Sequence, residues 1–404
     1  MAFKKRIVIT GAGAITPIGV DVPSFWDHLK RGVCGIDTIT QFNVSRFPVK
    51  RGFEVRGFHA RDHGTHLLDP FIQYAVGAAD EALIGSGLKV KDIDPYRIGM
   101  SVSSSKGGVH TIDRFGDRLR ETPSAILGAR VYTSAVPNFA AQWIARRWEL
   151  QGAAKCYVAA CATGTVAVIE GAHMISEGMI DYCIAGASDA SLVPLMLAGY
   201  RQMNVMAEQD ILPFDKRRDG FLVGEGAGVV LLETYESAKA RGAKIYAEIL
   251  GHGYGNDAGR DGVRFQESEN ALSRTVGSAL KSASIAAQDV DYVNLHGTGT
   301  TAGDLYETRQ MKHAFGARAQ QIPMSSTKSM TGHMLGASGA VEIIACLGAL
   351  DQGFLPPTAN LSQPDPECDL DYVALVSRPA CPKTVLSVSM GFGGHVAAIV
   401  LGKP

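Results

Sequence analysis

The chain carries no excess of either charge: its 39 lysines and arginines face 40 aspartates and glutamates, for a net charge of −1. Such a balance gives no reason to expect nucleic acid or a membrane surface as the main partner. Paired cysteines are missing too. The seven cysteines are scattered, with no CxxC and no zinc-like spacing. There is no uninterrupted apolar run of spanning length, and the basic stretch Met1 to Arg6 leads straight into Ile7-Val8-Ile9 without an apolar leader and cleavage site. The expectation is a cytoplasmic protein with reduced thiols. What remains is a 404-residue chain, 46% hydrophobic and 20% charged, long enough for one large domain or two of ordinary size.

Three pairs of segments repeat in order. Ile9-Thr10-Gly11-Ala12-Gly13 and Ile249-Leu250-Gly251-His252-Gly253 both read as apolar strands breaking into glycines. Gly87-Leu88-Lys89-Val90-Lys91-Asp92-Ile93-Asp94 parallels Ser284-Ile285-Ala286-Ala287-Gln288-Asp289-Val290-Asp291. Gly224-Glu225-Gly226-Ala227-Gly228-Val229-Val230 parallels Gly391-Phe392-Gly393-Gly394-His395-Val396-Ala397. The expectation is two similar α/β halves, residues 1–248 and 249–404. Strands such as 229–232 and 397–401 lack clean alternation, as expected where helices cover both faces of a sheet. The proline-rich stretch 355–366 reads as an ordered surface loop.

Cys161 stands out. The apolar run Cys156-Tyr157-Val158-Ala159-Ala160 reads as a buried strand, and Ala162-Thr163-Gly164-Thr165 as a sharp turn into a helix. A thiol there faces unpaired backbone N–H groups and a helix N-terminus, both of which favour thiolate, in the strand-turn-helix setting of acyl-transfer nucleophiles. The competing reading is a small buried apolar residue. His296 leaves a strand at Tyr292-Val293-Asn294-Leu295 and opens Gly297-Thr298-Gly299-Thr300. His333 lies in a polar loop before a helix over 340–350, bracketed by Lys328 and Glu342, which could pair to hold that loop. Each histidine alone is more often structural. Together with a thiol at strand-end loops they suit acyl transfer with stabilisation of a carbonyl oxyanion.

Two other chemistries fit poorly. Gly11-Ala12-Gly13-Ala14 lacks the third glycine of a dinucleotide loop, and Pro17 intrudes where its helix would start. His59, His63 and His66 lie in a polar stretch without companion carboxylates, so solvated surface is expected there and no metal site.

Taken in order, the motifs resemble the β-ketoacyl-acyl carrier protein synthases of the elongating type, including the ketosynthases of type II polyketide systems, over essentially the whole chain. They are Ala160-Cys161-Ala162-Thr163-Gly164, Pro213-Phe214-Asp215, Arg218-Asp219-Gly220-Phe221, Gly224-Glu225-Gly226-Ala227-Gly228, His296-Gly297-Thr298-Gly299-Thr300, Lys328-Ser329, Gly332-His333, Pro356-Pro357-Thr358-Ala359-Asn360-Leu361 and Gly391-Phe392-Gly393-Gly394. The resemblance implies the thiolase fold, two duplicated halves in five αβαβα layers. It implies that Cys161 takes an acyl chain from a carrier protein's phosphopantetheine, and that the N–H groups of Cys161 and Phe392 form an oxyanion hole with Phe392 as gate. His296 and His333 would stabilise the enolate left by decarboxylation of malonyl-carrier protein. Lys328 and Glu342 would support the site, Thr298 and Thr300 bind the pantetheine, and Lys106 and Tyr200 line the acyl channel. No cofactor and no metal are expected. The partners expected are an acyl carrier protein and a second subunit, identical or of the chain-length-factor type; nucleic acid and membrane are not.

The chain departs from the pattern in places. His395-Val396 follow the C-terminal glycines where Thr-Asn is usual, Lys106 replaces an apolar residue, and His63, His66 and Leu67 stand where Lys or Arg would greet a carrier protein. These departures suggest a specialised polyketide or polyene pathway; housekeeping fatty acid elongation is the alternative. A thiolase acting on acyl-coenzyme A would carry a second cysteine near Gly391, a non-catalytic chain-length partner would lack Cys161, and a scaffold would leave Cys161, His296 and His333 without purpose.

Overall fold

The computed structural model describes residues 3–122, 128–257, 265 and 270–404. Numbering only the strands of the main sheet, the first half contributes β1 (Ile7–Ile15), β2 (Ile98–Ser103), β3 (Ala154–Lys155), β4 (Tyr182–Asp189) and β5 (Gly226–Thr234). The second contributes β6 (Ala247–Asn256), β7 (Tyr292–Asn294), β8 (Met324–Ser325), β9 (Thr384–Gly391) and β10 (His395–Gly402). The spatial orders are β1-β5-β4-β2-β3 and β6-β10-β9-β7-β8, which is one order used twice. The pairings also repeat: two antiparallel ladders and then two parallel ones, starting from the first strand of each half. A short antiparallel ladder, Ile7↔Ile249 to Ile9↔Ala247, joins the halves edge to edge. A boundary between residues 248 and 249 therefore falls inside β6.

Helices complete the layers. On the outer face of the first half lie α1 (Pro70–Gly85) and α2 (Phe139–Trp148); on that of the second lie α4 (Ala271–Ala283) and α5 (Thr301–Phe315). Between the sheets run α3 (Thr163–Ser176) and α6 (Ser338–Gln352), each touching strands of both halves. This is the five-layered αβαβα arrangement of the thiolase fold. A helix between two sheets has no solvent face, so α6 is apolar or small nearly all round and buried from Ser338 to Leu350. It carries the one apolar stretch of spanning length among the described residues, 335–352, and that stretch is 89% buried in the protein core.

The expectation that the strands break at their glycines is corrected. β1 continues through Gly11 and Gly13 to Ile15, and β6 through Gly251 and Gly253 to Asn256. A Cβ on Gly13 would lie 1.9 Å from the carbonyl oxygen of Ala78 in α1, and one on Gly253 would lie 2.2 Å from that of Thr275 in α4. These glycines exist so that the outer helix can settle onto the first strand of each half. The surface-loop reading of 355–366 holds only for its second part. Leu355, Pro356, Pro357 and Thr358 are buried, and Thr358 Oγ1 accepts the Ser326 N–H at 3.1 Å and donates to Tyr372 O at 2.8 Å. The stretch of His59, His63 and His66 is not wholly solvated: His63 Nδ1 lies 2.6 Å from Asp80 Oδ2, a carboxylate that also holds Arg147 and Trp148.

Candidate active site

The apolar run before Cys161 is not a strand. β3 stops at Lys155, Val158 is exposed, and residues 156–159 are irregular. β3 is an edge strand paired only with β2, and the Tyr157 N–H already turns out of the ladder to donate to Ser103 Oγ at 3.0 Å. The sharp turn into a helix does form. Ala160 takes φ +48°, a left-handed value that a non-glycine residue adopts only when its surroundings impose it. Thr163 Oγ1 fixes it, accepting the Ala159 N–H at 2.9 Å and donating to Ala160 O at 2.7 Å. Cys161 sits in the single 3-10 turn 160–162, and α3 starts at Thr163.

His333 arrives from the second half. Its Nε2 is 3.2 Å from Cys161 Sγ, and its Nδ1 is 3.1 Å from Ser338 Oγ at the head of α6. His296 leaves β7 and packs edge-on against His333, with ring centroids 5.4 Å apart at 85°. The three side chains line one cavity of about 410 Å³. Thr298 and Thr300, whose hydroxyls are 3.1 Å apart, line it as well, as do Phe221 and Phe392. Phe392 also turns its backbone N–H to the Cys161 sulfur, and Gly391 lies against the Cys161 N–H. His395 begins β10 directly after this turn, opposite Gly391 and Asn256.

Lys328 and Glu342 do pair, buried to 1% and 2% side-chain exposure. They hold one partner more than expected. The pair ties the loop before His333 to α6, and Lys328 Nζ also donates to the carbonyl of His296 at 2.6 Å and approaches His296 Nδ1 at 3.5 Å, so it steadies His296 as well. The reason is that Lys328 heads a short helix, Lys328–Thr331, which aims it across at the β7 exit. An ammonium can only donate. Nδ1 of His296 is therefore the acceptor and the ring proton sits on Nε2.

Burial dominates the electrostatics. It drives the pKa of both imidazoles well below the ordinary range, with the Lys328 charge acting the same way, so both are neutral near pH 7. For Cys161 the expectation of a favoured thiolate is corrected. Burial raises its pKa on balance, against the opposing pull of Lys106, Lys328 and the Phe392 N–H. The backbone donor that reaches the sulfur is the Phe392 N–H from the second half, and the desolvation of a side chain closed in between two halves outweighs it. Burial likewise raises Glu342, opposed by Lys328.

Lys106 and Tyr200 do not line this cavity, but both lie near the nucleophile. Tyr200 shares the apolar cluster of Cys161, and Lys106 Nζ stands 5.9 Å from the Tyr200 ring centroid.

Three carboxylates that hold the site were not singled out from the sequence. Glu307 accepts the N–H groups of His296 at 2.6 Å and Gly297 at 2.7 Å; Asp304 accepts those of Gly299 at 3.1 Å and Phe214 at 2.8 Å. Asp189 accepts from Ser104, from Ser105 and from the Gly336 N–H at 2.7 Å. A signal existed for the first two. In α5, Asp304, Glu307, Thr308 and Met311 follow helical spacing on its buried face, where an apolar stripe belongs. Acids there imply N–H groups that need an acceptor.

Similar proteins cover the chain from end to end. Residues 4–238 match the family model described as beta-ketoacyl synthase, N-terminal domain, and residues 246–362 the corresponding C-terminal domain. A 3-oxoacyl-[acyl-carrier-protein] synthase 2 of Staphylococcus aureus (strain N315) is 37% identical over 412 residues, 100% of this chain and 99% of that one. A putative polyketide beta-ketoacyl synthase 1 of Streptomyces cyaneus is 38% identical over 418 residues, covering 99% and 98%. The solved ishigamide ketosynthase/chain length factor superposes with a TM-score of 0.94 at 31% identity over 99% of both chains. A type II PKS acyl-carrier protein in complex with its ketosynthase, bound to the hexaketide, gives 0.90 at 30% identity over 99% of this chain and 100% of that one.

Proposed function

The chain belongs to the beta-ketoacyl synthase family, a condensing acyltransferase, and on that premise we propose that it joins an acyl group held on Cys161 to the two-carbon unit of a malonyl-acyl carrier protein. The observation that carries this reading is the convergence of one thiol and two neutral imidazoles in one buried cavity, with Cys161 Sγ 3.2 Å from His333 Nε2.

The acyl thioester enters past Thr298 and Thr300. The Cys161 sulfur attacks its carbonyl carbon, the bond to the pantetheine sulfur breaks, and the proton lost from Cys161 ends on that sulfur. The oxyanion formed on the way meets the N–H groups of Cys161 and Phe392. With Ser338 Oγ donating to Nδ1, His333 carries its proton on Nε2 and donates to the sulfur, which offsets part of the burial cost of the thiolate.

The malonyl thioester then replaces the spent carrier. Its carbonyl oxygen accepts the Nε2–H groups of His296 and His333, the bond from Cα to the carboxylate breaks, CO2 leaves, and the charge rests as an enolate between the two donors. Neutral imidazoles are needed for this, because each must donate without surrendering its proton. The enolate carbon attacks the Cys161 thioester, the C–S bond breaks, and the β-ketoacyl chain leaves on the carrier two carbons longer, with Cys161 returned as thiolate. All groups required are side chains and backbone amides of this chain, so the reading includes no cofactor and no metal. The partners it implies are an acyl carrier protein and a second subunit, identical or of the chain-length-factor type, working in the cytoplasm. The test is a pair of assays on the purified protein: intact mass of Cys161 after exposure to acyl-carrier protein, and CO2 release from malonyl-carrier protein. An unmodified Cys161 would overturn the reading.

A further inference from the structure

Cys161 belongs to a mostly apolar cluster that also holds Leu197, Phe221 and Leu335. Two polar ends intrude on it. Tyr200 is 5% exposed and packs its ring edge-on to Phe221 at 5.5 Å, yet its hydroxyl has no hydrogen-bond partner among the described residues. Lys106 Nζ stands 5.9 Å from the Tyr200 ring centroid and has only Ser105 Oγ, at 3.3 Å, as a hydrogen-bond partner; no carboxylate among the described residues pairs with it. The cation over the ring is a partial compensation. Lys106 is close enough for its charge to act on both Cys161 and His333, and the Tyr200 hydroxyl on Cys161.

The placement of Lys106 is held, not incidental. Asp189 binds the hydroxyls of Ser104 at 2.6 Å and Ser105 at 2.5 Å, and Ser104 Oγ accepts the Gly107 N–H at 2.8 Å. The same carboxylate anchors Gly336, two residues beyond Met334 in the turn after His333. Near the thiol, the Tyr200 hydroxyl thus has no acceptor among the described residues, and the half-buried Lys106 ammonium has one hydroxyl for its three N–H groups. A plain alkyl chain on Cys161 would leave the Tyr200 hydroxyl stranded, at the cost that attaches to any buried donor without a partner, and the Lys106 charge incompletely solvated. An oxygen on the chain would complete them.

We propose that Lys106 and Tyr200 form a recognition pair for an acceptor oxygen, a keto or a carboxylate oxygen, carried by the acyl group on Cys161. The proposal rests on the reading above that Cys161 carries the acyl chain. It makes this enzyme a selector of oxygenated chains over saturated ones.

The experiment loads the full-length protein with three pantetheine thioesters of equal chain length: a saturated acyl, its mid-chain ketone and its terminal carboxylate. The rate of Cys161 acylation is read by intact mass. The wild-type protein is expected to take at least one oxygenated chain about tenfold faster than the saturated one, and Lys106→Met and Tyr200→Phe are each expected to shrink that ratio toward one. Preference for the ketone assigns a neutral acceptor, and preference for the carboxylate an anionic one. Equal rates for all three thioesters, or a ratio that neither substitution moves, would overturn the recognition pair while leaving the acyl-enzyme reading intact. No acylation by any thioester would overturn that reading and the pair with it.

Discussion

Nε2 of His333 lies 3.2 Å from Sγ of Cys161 across 172 residues of chain, although the two side chains come from different halves of the fold. Neither half alone contains a site. The nucleophile rides on the turn before α3 and the imidazole on the turn before α6, and these two helices are packed side by side between the sheets. Gly164 permits it, because a Cβ there would lie 2.5 Å from the Ala340 backbone nitrogen.

Removing the sulfur separates chemistry from structure. Cys161→Ala is expected to lower condensation by at least about a thousandfold and to leave no acyl-enzyme in the intact mass. Because the substitution removes a single sulfur atom, the melting temperature should stay within a few degrees of wild type. An acylated Cys161→Ala protein would place the nucleophile elsewhere.

The pH dependence of thiol alkylation follows from burial. The Cys161 pKa is raised, so thiolate appears later on a rising pH scale. Iodoacetamide should therefore show a midpoint above that of an exposed thiol, about 8.5. Lys106→Met removes a cation that opposes the shift and should move the midpoint higher still. A wild-type midpoint near neutrality would contradict both statements.

The two imidazoles divide from the thiol in what they do. His296→Ala removes one enolate donor and is expected to slow malonyl decarboxylation by roughly a hundredfold or more, the usual loss for one such donor. Acylation of Cys161 should persist in this variant, since the imidazole hydrogen-bonded to the sulfur is that of His333. Parallel loss of both half-reactions would show that His296 instead holds the cavity together.

Lys328 supports His296 from behind, and its loss should be costly twice over. Lys328→Met leaves Glu342 buried without its cation, which commonly destabilises by about 3–5 kcal/mol, and frees the His296 carbonyl. Both a lower melting temperature and slower decarboxylation are expected. The double change Lys328→Met with Glu342→Leu should recover much of the stability and none of the rate.

Glu225 offers a pH test away from the reaction. It is fully buried, and its pKa is pushed up to about 7 by burial, while its Oε1 accepts from Gln41, Val55 and Tyr74 and its Oε2 has no partner among the described residues. A carboxyl whose folded pKa is raised contributes stability that is fully present below its unfolded value, about 4.3, and is lost as pH climbs through about 7. Glu225→Gln keeps the Oε1 acceptor and cannot ionise. The stability difference between variant and wild type should thus grow in the variant's favour from pH 5 to 7, by up to about 1.4 kcal/mol per unit. Denaturant melts across that range check it, and a pH-independent difference would refute the assignment.

What could be read from residues alone was what short-range chemistry dictates. The ordered duplicate segments disclosed two halves, the small residues around Cys161 disclosed a sharp turn into a helix, and the motif spacing disclosed the thiol and both histidines. The turn rests on neighbours a few positions away, where backbone conformation and helical spacing follow from local sequence, and the halves show when one segment is compared with another. Tertiary packing decided the rest. It extended β1 through its glycines because α1 needed room, ended β3 before the run that leads to Cys161 because β3 is an edge, and turned Lys328 toward His296. It also raised the thiol's pKa, against the local reading, because desolvation depends on what the other half of the chain brings to cover the sulfur. No window of sequence contains that information: the cost of burying a charge is set by atoms hundreds of residues away.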